Sequence, residues 1–287
     1  MVNALTIDLE EYFHPTEVQK YVDAASWPGL PSRVEPQTNQ LLQLLDARKT
    51  RATFFVLGWV AERHPRLVRA IFDAGHEIAC HSYAHQLVYR LSPDEFRRDT
   101  ARAVAAIGDA AGVIPRIYRA PSYSITRESL WALEVLAESG FTHDSSIYPI
   151  AHDRYGIPGS PREPHIIRTP SGPMTEVPAA TARLASGAVV PIGGGAYLRL
   201  LPYRYTAAGI RRVNLDEARP VCIYFHPWEL DPDHPRLATG IVARARTYTG
   251  LRGMRHKIER LLSDFRFSTL TSVYGRPAQP LRAAASN

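Results

Sequence analysis

The sequence is poor in the features that most narrow a reading. It has two cysteines, Cys80 and Cys222, in 287 residues, which excludes a disulfide framework. Both lie near histidines but between apolar neighbours, and each reads as a small buried hydrophobe rather than a ligand. No apolar run approaches the ~18 residues that span a bilayer. The first residues, Met1 to Leu5, lead straight to Asp8 without a basic start, an apolar stretch or a small-residue cleavage site. No signal peptide is expected, so a cytoplasmic location is the expectation, or a periplasmic one if a leader has been removed. Internal repeats and low-complexity blocks are absent up to residue 275. The formal net charge of +6 comes with no nucleic-acid-binding motif. It reads as solvated surface that would also suit an acidic glycan or a lipid-linked phosphate.

What is present is an alternation. Leu5–Glu10, Ala52–Leu57, Glu77–Cys80, Arg116–Arg119 and a start at Phe141 read as strands. Helical patterns fall between them: Glu35–Asp46, Pro65–Ala74, one capped by Ser92 and running to Ala111, and one capped by Thr126 and stopped by Gly140. Strand and helix in turn over residues 1–150 predict a parallel α/β sheet or barrel. Residues 14–34 read as a long loop. Residues 151–200 are rich in Gly and Pro and predict loops with short antiparallel strands. Helices are expected at 203–215 and 252–264, with a late core strand at Arg219–Phe225. From Arg276 the chain reads as a disordered tail.

The polar residues interrupt this pattern at particular places. His81 and His85, four apart on an expected helical turn, would face the same way. Asp8 and Glu10 are two apart on a strand and so share a face, while Glu11 points away. Two carboxylates on one side of an apolar strand are costly to bury without a cation. Two histidines and one carboxylate leave room for water, the pattern of a catalytic zinc, and the other carboxylate can take a proton from it. Arg119 is expected to hold the Asp8 carboxylate in place through bidentate hydrogen bonds. His226 follows the late strand. Asp8, Glu10, His81, Arg119 and His226 all fall at C-terminal strand ends, the edge that hosts active sites in parallel α/β folds. Gly193-Gly194-Gly195 with Tyr197 reads equally as a cleft wall approaching a sugar or as a structural turn. Tyr123 and Trp228 are further candidates for substrate contact, and His14 is open between a cleft role and a loop contact.

With these residues in hand, the chain resembles the polysaccharide deacetylases of carbohydrate esterase family 4 over about residues 3–275. Within them it resembles the subgroup found with bacterial exopolysaccharide and protein-sorting gene clusters, which carries an extra C-terminal region, here about 190–275. The histidine motif matches at His81 and His85, and the arginine motif at Arg119 and Pro121. Asp144-Ser145-Ser146-Ile147 is similar to one variant of a fourth motif, and His226 represents the fifth. In the first motif Leu9 separates two acids that the family usually sets side by side. The resemblance implies a distorted (β/α) barrel of about seven parallel strands, in one domain over 1–275, with a Gly/Pro-rich insertion and a C-terminal helical extension. It implies a divalent metal, most simply Zn2+, on Glu10, His81 and His85. Asp8 would be general base, His226 general acid, and the Ser122 N–H part of an oxyanion hole. The implied activity is N-deacetylation of amino sugars in a bacterial polysaccharide or its lipid-linked precursor. A metal-free cyclic amide or ureide hydrolase on the same fold and a glycan-binding pseudoenzyme are the rival readings. All the implied catalytic residues are present, which disfavours the second rival.

Overall fold

Val2–Leu9 is apolar at most positions, and every residue from Asn3 to Leu9 is buried. Strands covered on both faces look like this, and they belong at the centre of a parallel sheet. In the structure, a computed structural model that describes residues 1–275, this strand is β1. After it come helices α1 (Thr16–Gln19) and α2 (Val34–Ala47), strand β2 (Thr53–Val56), helices α3 (Gly58–Arg63) and α4 (Pro65–Asp73), and strand β3 (Glu77–Cys80). Helix α5 (Pro93–Ala111), strand β4 (Ile117–Tyr118), helix α6 (Trp131–Glu138) and strand β5 (His143–Asp144) complete the alternating part. The expected tail from residue 276 lies outside the described residues.

The second part begins with two antiparallel pairs, β6 (His165–Thr169) with β7 (Gly172–Glu176) and β8 (Thr181–Arg183) with β9 (Val189–Pro191). Helices α7 (Gly195–Leu200) and α8 (Tyr203–Asp216) lead to strand β10 (Cys222–Phe225). Helices α9 (Ile241–Tyr248) and α10 (Leu251–Asp264), strand β11 (Arg266–Ser268) and helix α11 (Leu270–Tyr274) end the described chain.

The main sheet runs β10-β1-β2-β3-β4-β5-β7-β6. The strands from β10 to β7 are mutually parallel, seven in number, and β6 is antiparallel on the outside. Beyond β7 the chain donates a backbone hydrogen bond from Ala180 N–H to the Cys222 carbonyl of β10. The two ends of the sheet therefore approach each other, and the architecture is the expected distorted (β/α) barrel. Strand β11 pairs with the N-terminal half of β1, on the edge opposite β10, since Ala4 is partnered by both Cys222 and Ser268.

Local sequence explains most element ends. Ser92 caps α5 by accepting from Glu95 N–H at 3.3 Å, and the Glu95 carboxylate returns the favour to Ser92 N–H at 2.8 Å; Gly112 ends the helix with φ 75°. Three helices differ from expectation. The chain after Thr126 starts as a 3-10 turn, Arg127–Ser129, before α6 begins at Trp131. Helix α7 and helix α9 fall in stretches with little helical pattern. The loop expected over 14–34 contains α1 and a 3-10 segment, Ala24–Gly29, and is anchored by buried Trp27. No helix among the described residues is long and apolar enough to cross a membrane.

Candidate active site

The alternation of β1 puts Thr6 and Asp8 on one side, and Glu10 continues that side just past the strand end. Glu11 turns the other way. It accepts hydrogen bonds from Ser32 Oγ and from the backbone N–H groups of Arg33 and Val34, at the start of α2, where the helix dipole favours a carboxylate. One acid-rich tripeptide thus supplies a site on one face and a helix anchor on the other.

His81 leaves the end of β3, and its Nδ1 lies 2.9 Å from the Arg119 carbonyl. A donating Nδ1–H leaves the Nε2 lone pair for a ligand, the usual orientation of a metal-binding histidine. The expected helical turn between His81 and His85 is not there. Ser82 and His85 have φ of 66° and 52°, so two left-handed residues fold the loop back. Asp99 of α5 pins it, accepting from Ser82 Oγ at 2.7 Å, Tyr83 N–H at 2.9 Å and Ala84 N–H at 3.2 Å. The two imidazoles come together by this route, with centroids 5.3 Å apart. His85 Nε2 lies 2.8 Å from Glu10 Oε2, and the Gln19 amide lies 3.1 Å from His85 Nδ1.

One ligand atom from each of Glu10, His81 and His85 lies within 4.8 Å of the others, and all three residues are buried. Glu10 Oε1 accepts from Trp228 Nε1–H at 3.0 Å, whereas Oε2 meets no group other than the His85 imidazole. An orphaned carboxylate oxygen facing two imidazoles fits a divalent cation, because hard oxygen and borderline imidazole donors are the set such ions take. Burial pushes the Glu10 carboxyl up, but the charges of His85, His226 and His81 outweigh it and hold it well below the carboxylate range. Burial, helped by the neighbouring His85, takes His81 down to about 4, with Asp8 and Glu10 opposing. An imidazole that resists protonation is a better ligand.

On the other side of Asp8 and Glu10 stands His226, with Nε2 3.9 Å from Asp8 Oδ2 and 3.6 Å from Glu10 Oε1. Its Nδ1 is 3.0 Å from Glu229 Oε2, and Arg199 Nε–H donates to Glu229 Oε1 at 2.9 Å. Burial lowers the affinity of His226 for its proton, but Glu10, Glu229 and Asp8 overcome this and raise its pKa to about 9. Trp228 lies nearly parallel to the imidazole at 5.3 Å. Glu229 and Arg199 were missed in the sequence. The three-residue spacing of His226 and Glu229 was a usable signal; Arg199 closes the glycine-rich segment read as a possible cleft wall, but nothing there pointed to its contact with Glu229.

Arg119 is fully buried, and Nη1 donates to Asp8 Oδ1 at 2.7 Å and to Thr6 Oγ1 at 2.9 Å. The expected bidentate contact is absent, because Nε and Nη2 are directed to the carbonyl and hydroxyl of Ser145. Phe55 covers the guanidinium at 3.9 Å. Ser122 and Tyr123 both have left-handed backbones, φ 51° and 53°, a conformation that costs ~1–3 kcal/mol and recurs at functional sites. Beneath this loop, Ala120 N–H donates to Ser146 Oγ, which bonds to Asp144, a carboxyl beside Glu176. These two buried acids were also missed as a pair.

A cavity of about 460 Å³ opens over the cluster, with Asp8, Glu10, His81 and His226 at its floor and Ser122, Tyr123, Tyr197 and Trp228 in its walls. Tyr197 sits on α7, its hydroxyl 3.3 Å from that of Tyr155. The triple glycine does not approach the cavity as a bare sugar platform. A Cβ on Gly193 or Gly194 would strike the Ile223 or Tyr224 side chain, and one on Gly195 would come within 2.7 Å of Glu229 Oε2 and 2.9 Å of His226 Nδ1. His14 is buried among Phe13, Trp27 and Trp59. Its Nδ1 accepts from Glu11 N–H, and that makes it a loop contact. Cys80 and Cys222 are free and buried, as expected.

A parallel α/β barrel with buried acids and imidazoles at the C-terminal ends of its strands defines a hydrolase-like site with a place for a cation. Known proteins narrow the class. Residues 26–142 match the family described as polysaccharide deacetylase, and residues 145–275 match a domain of unknown function, DUF3473. A peptidoglycan-N-acetylglucosamine deacetylase of Bacillus cereus is 34% identical over 98 residues, 34% of this chain and 36% of that protein. A chitooligosaccharide deacetylase of Bradyrhizobium is 36% identical over 103 residues, 36% of this chain and 44% of that protein. This chain therefore spans well under half of these relatives. The crystal structure of a presumed polysaccharide deacetylase from Mycobacterium smegmatis aligns with a TM-score of 0.63 at 22% identity, covering 98% of this chain and 93% of that one; at that identity it speaks for the fold. Residues 26–142 are thus similar in sequence to the polysaccharide deacetylase family, and the chain as a whole shares the fold of such a structure. Asp8 and Glu10 precede the matched segment, and His226 lies in the second one.

Proposed function

We propose that this protein is a metal-dependent hydrolase that removes N-acetyl groups from amino sugars of a bacterial polysaccharide or its lipid-linked precursor, with Zn2+ on Glu10, His81 and His85. The observation that carries the proposal is the placing of Asp8 and His226, a carboxylate and a protonated imidazole, beside that ligand set at the floor of one cavity. The relatives, named as deacetylases of N-acetylglucosamine in peptidoglycan and of chitooligosaccharide, suggest the substrate class. A cyclic amide hydrolase without metal has no use for a buried Glu–His–His cluster.

The bound cation supplies Lewis acidity. The rest falls to the chain. Asp8, fixed by Arg119, takes the proton from water attacking the acetyl carbon. The Ser122 N–H faces the developing oxyanion, a donor typically worth ~3–4 kcal/mol. His226, charged at neutral pH and held by Glu229, gives its proton to the departing amine, a step worth about 10²–10⁴-fold. Tyr123, Tyr197 and Trp228 shape the sugar site. Residues 1–275 act as one catalytic unit, since the ligands come from the first part of the chain and the acid from the second.

The test is acetate release from N-acetylated chitooligosaccharides and peptidoglycan fragments, with chelator and with added zinc. Release that chelator abolishes and zinc restores is expected. Release unaffected by exhaustive chelation, or none from any N-acetylated glycan by zinc-loaded protein, would overturn the proposal.

A further inference from the structure

Many of the residues that line the cavity come from 145–275, and this part of its wall carries charge the proposed chemistry does not use. Arg154 Nη1 donates to Glu17 Oε2 at 2.6 Å, and Arg246 Nη1 lies 3.4 Å from Glu17 Oε1. One carboxylate is thus shared by two guanidiniums, each with five N–H donors in a planar fork. The Arg154 Nε is buried and has no hydrogen-bond partner. Next to Arg246, Thr247 is 2% exposed, and its hydroxyl is also without a partner. The other acid near this wall is Asp153, whose side chain is 66% exposed and reaches Arg154 Nε at 4.0 Å, beyond hydrogen-bond distance. Its shorter contact is to His152 Nδ1, at 2.9 Å. The His152 ring stacks on Tyr155 at 3.8 Å, and burial lowers its pKa, so it adds no cation. Arg199, also in the wall, is fully engaged by Glu229 and the carbonyls of Arg246 and Thr249.

We infer that Arg154 and Arg246, with Thr247, form a subsite for an anionic group on the substrate, a carboxylate or a phosphate next to the N-acetylated sugar, so that residues 145–275 act as the specificity-determining part of the site. The guanidinium N–H groups that Glu17 leaves free, on side chains 26% and 46% exposed, call for an acceptor, and planar guanidiniums match carboxylate and phosphate oxygens two at a time. Glu17 orders the pair without saturating it. The subsite rests on the deacetylase reading for its partner sugar, but its own chemistry is separable from acetate release.

The experiment compares zinc-loaded protein on three substrates: a neutral N-acetylglucosamine tetrasaccharide, a tetrasaccharide alternating N-acetylglucosamine with glucuronate, and N-acetylglucosamine diphosphate. The expected kcat/KM for an anionic substrate exceeds that for the neutral one by roughly ten- to a hundredfold, the span of one charge-assisted hydrogen bond. The preference should appear in KM, shrink at high salt, and collapse in Arg154→Gln and Arg246→Gln. Arg246→Lys, which keeps the charge without the fork, should recover part of it, and melting curves identify any variant that has not folded. The uronate and diphosphate arms tell a polymer carboxylate from a carrier phosphate. Equal rates on all three would overturn the subsite and leave the deacetylase intact. No release from any would sink the deacetylase reading; the subsite is then decided by calorimetric titration of the glucuronate tetrasaccharide into Asp8→Asn protein, where binding lost in Arg246→Gln sustains it and absence of binding overturns it.

Discussion

His226 is buried, and a buried imidazole ordinarily sheds its proton; here three carboxylates reverse that, and its pKa rises to about 9. Glu229 is the one of the three that is free of other duties in the proposed chemistry. It is itself held below the carboxylate range, because His226 and Arg199 outweigh its burial. An acid that must be protonated to work loses activity as pH rises through its pKa. Glu229→Gln removes a negative charge beside His226, so the alkaline limb of the kcat profile should move to lower pH while zinc content is retained. A limb that stays in place would mean that His226 is not the group that titrates. Sequence reasoning found Asp8, Glu10, His81, His85, Arg119 and His226, because charged residues at strand ends break an otherwise apolar pattern. It missed Glu229 and Arg199, whose meaning depends on a contact 30 residues apart in the chain. It also paired His81 and His85 for the wrong local reason: left-handed turns fixed by Asp99, not helical spacing, bring them together.

Among the elements, the strands and helices of the first half were legible because period and caps agree, as in α5 with Ser92, Pro93, Glu95 and Gly112. Helix α7 was not, since a helix opening on glycine contradicts local propensity. Its glycines are explained by what they face. Gly195 lies against Glu229 and His226 so closely that a methyl group would have to displace one of them. No left-handed φ is required at this glycine, so Gly195→Ala leaves the backbone unstrained and acts on the side chains behind it. The expected result is a fall in kcat of about tenfold or more, equivalent to ~1.4 kcal/mol of lost transition-state stabilisation, with a small change in melting temperature. Unchanged kcat would show that the His226–Glu229 pair tolerates displacement.

At the scale of the whole molecule, the barrel is held near its seam by a pair of acids. Asp144 on β5 and Glu176 on β7 are both fully buried. Burial, and for Glu176 also the Asp144 charge, raises both carboxyls, Glu176 well above its ordinary value. Glu176 Oε1 accepts from Ile147 N–H, while Oε2 has no donor, as expected if it carries a proton toward Asp144. A raised pKa in the folded state means that stability is fully present below the ordinary value of 4.5 and is lost as pH rises from there toward the folded value. Glu176→Gln keeps a neutral donor in the same place. Its melting temperature should equal or exceed that of the wild type at pH 8 and depend less on pH. A variant that melts lower across the whole range would mean that the pair is not protonated.

Strand β1 is the first to be made and the last to be completed. Its neighbours on the two edges include β10, 218 residues later at the Leu5–Ile223 register, and β11, 264 residues later at Val2–Arg266. At the ~5–20 residues per second of synthesis, the acid-bearing strand waits on the order of ten to forty seconds for β10. Through that interval an apolar edge stays open to other chains. The nascent protein thus carries the strand that bears Asp8 with an edge left open until late in synthesis.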